Sequence, residues 1–347
     1  MKTILGINYF FSKNEENDGF MCGTAVGAIG VARDFKKRLE AAYDVEIHSW
    51  DCVDWTSPDV KAVLYLDCSW RSILRDPYLK KIPFEKRALV LIEPGNVNPA
   101  LYFLRHFRKK FHTIFTWDEH LLKKHPEYIP INVPVGAEPA LYRTNRFAHI
   151  PFSDKKLLFA ASMNRWHYMP QSTHRIRRQA YAWFDKRQYG QFDLFGAKWN
   201  EPIVWYEKIF GFPKYRSWKG ILPGGFPEKV DAMSHYKFAL CFENNASQPG
   251  YISEKIIDCF CSRCVPIYYG SKGVEKHIPP ECYIDFRNFK NFQELEDFIV
   301  NMDATTHATY IAAIDRFLNS PEADFFSTDH LLRQIALGLE LSPLKRT

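Results

Sequence analysis

Short apolar runs alternate with longer amphipathic stretches through the first half of the chain. TILGINYF, DVEIHSW, KAVLYLD, RALVLIE and HTIFTW read as strands, whereas GAIGVARDFKKRLEAA and ALYFLRHFRKK repeat their apolar positions at helical spacing. Strands separated by helices predict a parallel sheet with helical crossovers. Around NRFAHIPFSDKK (Asn145 to Lys156) the pattern breaks into Pro, polar and charged residues, which places a linker there. The alternation then resumes with KLLFAAS, THRIRRQAYAWFDKR, FDLFG, PEKVDAMSHY, KFALCFE, a helix from about Ile252 to Ser262, VPIYYG, CYIDF and FQELEDFIVNM. The expected fold class is therefore α/β, with two Rossmann-like domains facing a cleft. Their bounds are expected at residues 1–150 and 151–325, and a C-terminal helix over 326–347 is expected to pack on either domain.

Composition narrows the class. At 347 residues, 46% apolar and 25% charged, the chain is globular in character and long enough for two cores. No apolar run approaches the ~20 residues of a membrane helix, and the opening MKTILGINYFF runs straight into SKNEENDG like a first strand rather than a cleaved leader. Eight scattered cysteines are unlike the disulfide framework of a small secreted domain and fit a reducing cytosol. The net charge of +6 is compatible with an anionic ligand or with peripheral contact to an anionic membrane. Basic residues cluster in RHFRKKFH (Arg105 to His112) and HRIRRQ (His174 to Gln179), as ligand contacts or as solvated helix faces.

The stretch most informative about chemistry is FENNASQPGYISEK, residues 242–255, set between the strand pattern YKFALC and the apolar run IIDCFCSRCVPIYYG. A polar turn leaving a buried strand and opening a helix is where α/β proteins hold phosphates, because the free amides of the first helical turn favour an anion. Lys255 would lie in that turn, where an amine can neutralise a departing diphosphate, and Glu254 and Asn244 can hydrogen-bond sugar hydroxyls. The same residues also allow a purely structural role, with Asn244 and Ser253 capping the helix, Glu254 favouring its positive end and Lys255 solvated.

FENNASQPGYISEKIIDCFCSRCVPIYYGS (Phe242 to Ser271) resembles the signature of the family 10 fucosyltransferases, which runs Phe-Glu-Asn, a polar spacer, Tyr-x-x-Glu-Lys, an apolar helix and a Val-Pro-Ile-Tyr-type strand. The flanking YKFALCFEN and YIDFRNFKN are similar to that family too, so the resemblance covers roughly residues 225–300. It implies two Rossmann-like domains of the GT-B type and inverting transfer of L-fucose from GDP-fucose to a hydroxyl of a glycan or glycolipid acceptor, with an α-1,3 linkage expected. It further implies that Lys255 contacts the donor diphosphate, that Glu254 and Asn244 lie near ribose and fucose, and that Tyr251, the signature tyrosine, belongs with them to the donor-binding set. The family's phosphate-gripping arginine maps to Arg178, three residues before Tyr181, with Arg175 and Arg177 as further candidates. Three exposed arginines on a helix are the alternative.

An inverting transfer needs a base on the acceptor side. ALVLIEPGNVNP (Ala88 to Pro99) is an apolar strand ending in Glu93, and the resemblance implies that this glutamate is the catalytic base, although Pro94 and Gly95 separate it from Asn96 where the family often has Glu-Asn adjacent. A carboxylate paired with Arg87 or a lysine is the structural alternative for Glu93, and Asp67, Asp118 and Glu119 are competing acids. The chain has no Asp-x-Asp, so no cofactor and no metal are expected, and Lys255 with an arginine would take the place of a metal clamp. Cys259, Cys261 and Cys264 suggest buried thiols more than zinc, since Cys261 turns away on a helix. MCGTAVGAIG (Met21 to Gly30) lacks the order of a dinucleotide loop and reads as a flexible loop opening the first helix, near the acceptor. The aromatics of SWKGILPGGF are candidate sugar platforms or core. The competing readings are a transferase of the same fold with another nucleotide-sugar, a non-catalytic sugar-nucleotide binder and a nucleic-acid binder. The last is disfavoured, and a cytoplasmic location is expected.

Overall fold

The computed structural model describes residues 3–9, 28–68, 73–74, 76, 78–133, 138–166, 168–169, 171–222 and 226–344. Two compact units result: residues 1–134 with 248–251 and 325–347, and residues 135–247 with 252–324.

The first unit is built on β1 (Thr3–Tyr9), β2 (Val45–Ser49), β3 (Val60–Leu66), β4 (Arg87–Leu91), β5 (Thr113–Thr116) and β6 (Ile129–Pro130), all parallel, in the order β2-β1-β3-β4-β5-β6. Helices α1 (Ala28–Ala42), α2 (Pro99–Phe103), α3 (Arg105–Arg108) and α4 (Glu119–Lys124) lie in the connections. The period of two in KAVLYL sends Ala62, Leu64 and Leu66 into one core cluster with Leu5, Ile7, Ala88 and Val90. Val63 and Tyr65 go into a second with Leu89, Leu91 and Leu101. Both faces of the sheet are therefore covered, which is why its strands read as near-continuous apolar runs.

The second unit holds β7 (Lys156–Ala161), α5 (His174–Arg187), β8 (Phe192–Phe195), α6 (Trp205–Phe210), α7 (Phe226–Met233), β9 (Tyr236–Phe242), α8 (Glu254–Ser262), β10 (Val265–Tyr269), β11 (Ile284–Asp285), α9 (Phe292–Val300) and α10 (Ala304–Leu318). Its parallel strands run in the order β11-β10-β9-β7-β8. The order reverses between β7 and β9, and ligands of such sheets bind beyond the carboxyl ends of the strands at that point. Leu158, Phe192, Leu194, Phe238, Leu240 and Ile267 of the strands share one core with Ala180, Tyr181 and Phe184 of α5.

The second unit begins at residue 135, ahead of the linker placed at 145–156. Arg263 accounts for this: the guanidinium, 2% exposed, donates to the carbonyl of Tyr142 at 2.7 Å, to Phe260 at 3.1 Å and to the Asp315 carboxylate at 2.6 Å. The 3-10 turn Pro139–Tyr142 is thus part of that unit's buried polar network. The closing helix α11 (Thr328–Gly338) returns to the first unit, where Leu331, Leu332, Ile335 and Ala336 join the cluster of Leu5 and Ile7. A side chain at Gly338 would stand 2.4 Å from Ile129 and 2.6 Å from Phe115, so only glycine allows this approach of helix to sheet. Among the described residues no helix is long and apolar enough to cross a membrane. The glycine-rich stretch Met21 to Gly30 lies almost wholly outside the described residues.

Candidate active site

The turn after β9 is organised by an acid that the sequence reading passed over. Glu243 is fully buried; one carboxylate oxygen accepts the Ser253 N–H at 2.8 Å, and the other accepts the Ser253 hydroxyl at 2.6 Å and the Lys255 ammonium at 3.3 Å. Ser253 caps α8 by accepting from the Lys255 N–H, and its hydroxyl lies 3.0 Å from the Lys255 ammonium. The lysine is therefore held at the first turn of α8. Burial works against its charge, but Glu254 and Glu243 outweigh it and raise its pKa, so the amine is cationic throughout the physiological range.

Glu254, whose carboxylate is 3.6 Å from the Lys255 ammonium, is likewise opposed by burial and held below the usual carboxylate range by Lys255 and Lys229. Lys229 donates to the fully buried Asp258 at 2.6 Å, and the other Asp258 oxygen has no partner. Burial pushes Asp258 upward against the pull of Lys229. A compact cluster of two lysines and three acids, Lys229, Asp258, Glu254, Lys255 and Glu243, thus sits around the start of α8.

Of the arginines on α5, Arg177 is the one brought to this turn. It is 4% exposed and donates to the carbonyls of Phe242 and Glu243 at 2.6 and 3.0 Å and to the Asn244 side-chain oxygen at 3.2 Å. Asn244 is thereby fixed, and its carbonyl accepts the Thr173 N–H at the start of α5. Arg178 lies on the neighbouring face, paired with Glu207 and stacked over Trp166 at 5.6 Å, and Arg175 is exposed. The terminal nitrogen Nη1 of Arg178, together with Asn164 Oδ1, Trp166 Nε1 and Gln171 Oε1, is buried without a hydrogen-bond partner. All four belong to the β7–α5 segment at the carboxyl end of the sheet, where unpartnered buried polar atoms point to a ligand that satisfies them.

The spacer of the motif belongs elsewhere. Residues 248–251 are part of the first unit, where Gln248 accepts the Gly95 N–H at 2.6 Å and donates to Asp118 at 2.9 Å. Tyr251, implied beside the donor, is 3% exposed in the core of that unit, its ring 4.8 Å from Trp117. Gly250 takes φ +87°, and a Cβ there would stand 2.3 Å from the Trp117 carbonyl.

Glu93 follows β4 at its carboxyl end, half-buried, its N–H donating to Asp67 at 2.7 Å. Pro94 begins a tight turn, its carbonyl accepting from Val97 and Asn98. Arg87 is no partner for this glutamate: its guanidinium is spent on the carbonyls of Ile82, Lys80 and Lys110. Asp67 is 1% exposed at φ +53°, and burial followed by the charge of Glu93 pushes its carboxyl up to about 8. Two acids, one half-exposed and one buried, therefore end adjacent strands. Asp118, a competing acid, is instead the cap of α4.

No group of three or more His, Cys, Asp or Glu side chains that could hold a metal ion occurs among the described residues. Cys259, Cys261 and Cys264 are buried thiols.

Residues 208–312 match the family described as glycosyltransferase family 10 (fucosyltransferase), C-terminal. The chain is 46% identical over 71 residues to an alpha-(1,3)-fucosyltransferase of Helicobacter pylori and 39% identical over 83 residues to an alpha-(1,4)-fucosyltransferase of Arabidopsis thaliana. These stretches make up 20% and 23% of this chain but only 15% and 20% of the two relatives' lengths. A solved alpha1,3-fucosyltransferase with GDP superposes with a TM-score of 0.53 at 17% identity, covering 98% of this chain and 91% of that one. T4 phage β-glucosyltransferase with UDP-glucose gives 0.55 at 12% identity, covering 98% and 100%. Over residues 208–312 the chain is thus similar to the C-terminal part of family 10 fucosyltransferases, and its α/β fold is like that of the GT-B glycosyltransferases.

Proposed function

We propose that the protein is an inverting, metal-independent glycosyltransferase that moves L-fucose from GDP-fucose to a hydroxyl of a glycan or glycolipid acceptor, with an α-1,3 linkage expected. The observation that carries the reading is the Lys255 ammonium, positioned at the first turn of α8 by Glu243 and Ser253 and held cationic by Glu254 and Glu243, within the family-matched stretch. A fixed amine at the positive end of a helix stabilises a diphosphate as it gains charge on leaving, the task a metal performs in other transferases. Arg178, with an unpartnered guanidinium nitrogen, supplies a second positive charge. Asn244, immobilised by Arg177, and Glu254 are polar groups for donor hydroxyls. Glu93 accepts the proton of the attacking acceptor hydroxyl.

Donor hydrolysis without acceptor tests this, with GDP-fucose, GDP-mannose and UDP-sugars supplied separately to wild type and Lys255→Ala. Fucose release from GDP-fucose alone, lost in the variant and unaffected by a chelator, supports the reading. Turnover of another donor, or a chelator-sensitive rate, overturns it.

A further inference from the structure

Helix α6 presents its apolar residues outward. Trp205 is 67% exposed, Ile209 67% and Phe210 81%, and Ile221 just beyond is 70% exposed. Four large apolar side chains are thus exposed within 17 residues, three of them on one short helix, and such a concentration of exposed apolar side chains marks an interaction surface.

The exposure is built in, because the segment is anchored from below. Glu207, on the inner side of α6, is 5% exposed, pairs with Arg178 and accepts the N–H groups of Ile203 and Val204 at 2.7 and 3.3 Å. After the helix, Tyr215 is buried in the core of the second unit, the Ser217 carbonyl accepts the Leu194 N–H of β8 while the Ser217 N–H donates to the Asp185 carboxylate at 2.7 Å, and the Trp218 indole donates to the Gly196 carbonyl at 2.8 Å. With both ends fixed, the helix can place Trp205, Ile209 and Phe210 only outward.

Charge selects the occupant. Between residues 201 and 222 the exposed cations outside any ion pair are Lys208, Lys214 and Arg216 against Glu201 alone, since Glu207 is buried in its pair with Arg178 and Lys219 lies 3.5 Å from the Asp193 carboxylate. A protein partner for such a patch needs only an apolar counterface. Exposed Trp, Ile and Phe with Lys208, Lys214 and Arg216 beside them in the chain match a bilayer, where aromatic and aliphatic tips enter the interface and cationic groups meet anionic headgroups.

We propose that α6 and the segment to Ile221 form a docking surface for an anionic lipid bilayer, with Trp205, Ile209 and Phe210 inserting at headgroup level and Lys208, Lys214 and Arg216 contacting lipid phosphates. Trp205, Ile209, Phe210 and the cations of this surface are not among the residues assigned to the donor, although Glu207 of the same helix pairs with Arg178, and the test does not depend on the donor.

Sedimentation with vesicles of phosphatidylcholine, with and without phosphatidylglycerol, measures it. The intact protein is expected to bind only the anionic vesicles, less so as salt rises. Phe210→Ser is expected to weaken binding roughly tenfold, the equivalent of one apolar side chain returned to water, and Lys208→Gln about fivefold. Both side chains are exposed, so melting temperatures should not change; GDP binding, measured alongside, should also be unchanged. Absence of vesicle binding overturns the proposal, as does binding that both substitutions leave intact. Self-association that Phe210→Ser abolishes would assign the patch to a second copy of the chain and overturn it equally.

Discussion

Glu243 and Ser253 are joined by two hydrogen bonds, the carboxylate accepting both the N–H and the hydroxyl of the serine at 2.8 and 2.6 Å, ten positions along the chain. This pairing fixes where α8 begins, and so where Lys255 stands. Glu243 is fully buried, so replacing it by an amide leaves the lysine charge beside a group that cannot balance it.

Glu243→Gln is therefore expected to cost about 1 to 3 kcal/mol of stability, the penalty of weakening a buried charged hydrogen-bonding group, with Glu254 at 3.6 Å still balancing part of the lysine charge. Adding Lys255→Met should restore part of the loss, because the uncompensated charge goes with it. Urea denaturation of the two single variants and the double one checks this; strictly additive losses would show that the two residues do not interact.

Glu93 ends β4 half-buried and belongs to the first unit, whereas the residues assigned to the diphosphate belong to the second. Glu93→Gln is expected to lower kcat by roughly a hundredfold to ten-thousandfold, the usual contribution of a general base, with GDP affinity unchanged. Equal losses in kcat and in GDP affinity would remove it from the role of base.

Gly250 sits at φ +87° with the Trp117 carbonyl where a Cβ would go. Gly250→Ala combines left-handed strain with a backbone clash and is expected to cost about 2 to 4 kcal/mol. The residue is thus a structural requirement of the motif. A melting temperature like that of the wild type would refute this account.

Much of this was legible in the sequence because parallel strands covered on both faces are written as apolar runs. KAVLYLD, RALVLIE and KFALCFE fall on β3, β4 and β9, and FENNASQPGYISEK leaves β9 where the sheet order reverses. What pattern could not give is which polar side chain turns inward. Glu243 looks like the first polar residue of a loop, yet it is the buried hub, and the available signal was that it directly follows an unbroken apolar strand. Arg177 and Arg178 differ by one position and face different partners, Asn244 and Glu207, a choice set by tertiary packing rather than by helical spacing. Tyr251 reads as part of a donor loop, but four residues of that loop belong to the other unit, a division that local sequence does not encode.

Asp67 gives a prediction in pH. Burial, then the Glu93 charge, raise its carboxyl to about 8 in the folded protein, against ~3.9 in an unfolded chain. The folded state thus holds a proton that the unfolded state has released, so stability is complete below about pH 4 and falls as pH rises through about 8. Asp67→Asn keeps an oxygen to accept the Glu93 N–H and removes the titration. Denaturation midpoints of wild type and variant should therefore diverge between about pH 5 and pH 8, the variant gaining. Glu93→Gln in the wild-type background removes the neighbouring charge and should shrink the same slope. Parallel profiles for wild type and Asp67→Asn would mean that the aspartate is ionised in the folded protein, its charge carried by the Glu93 N–H and the Asn98 amide rather than avoided.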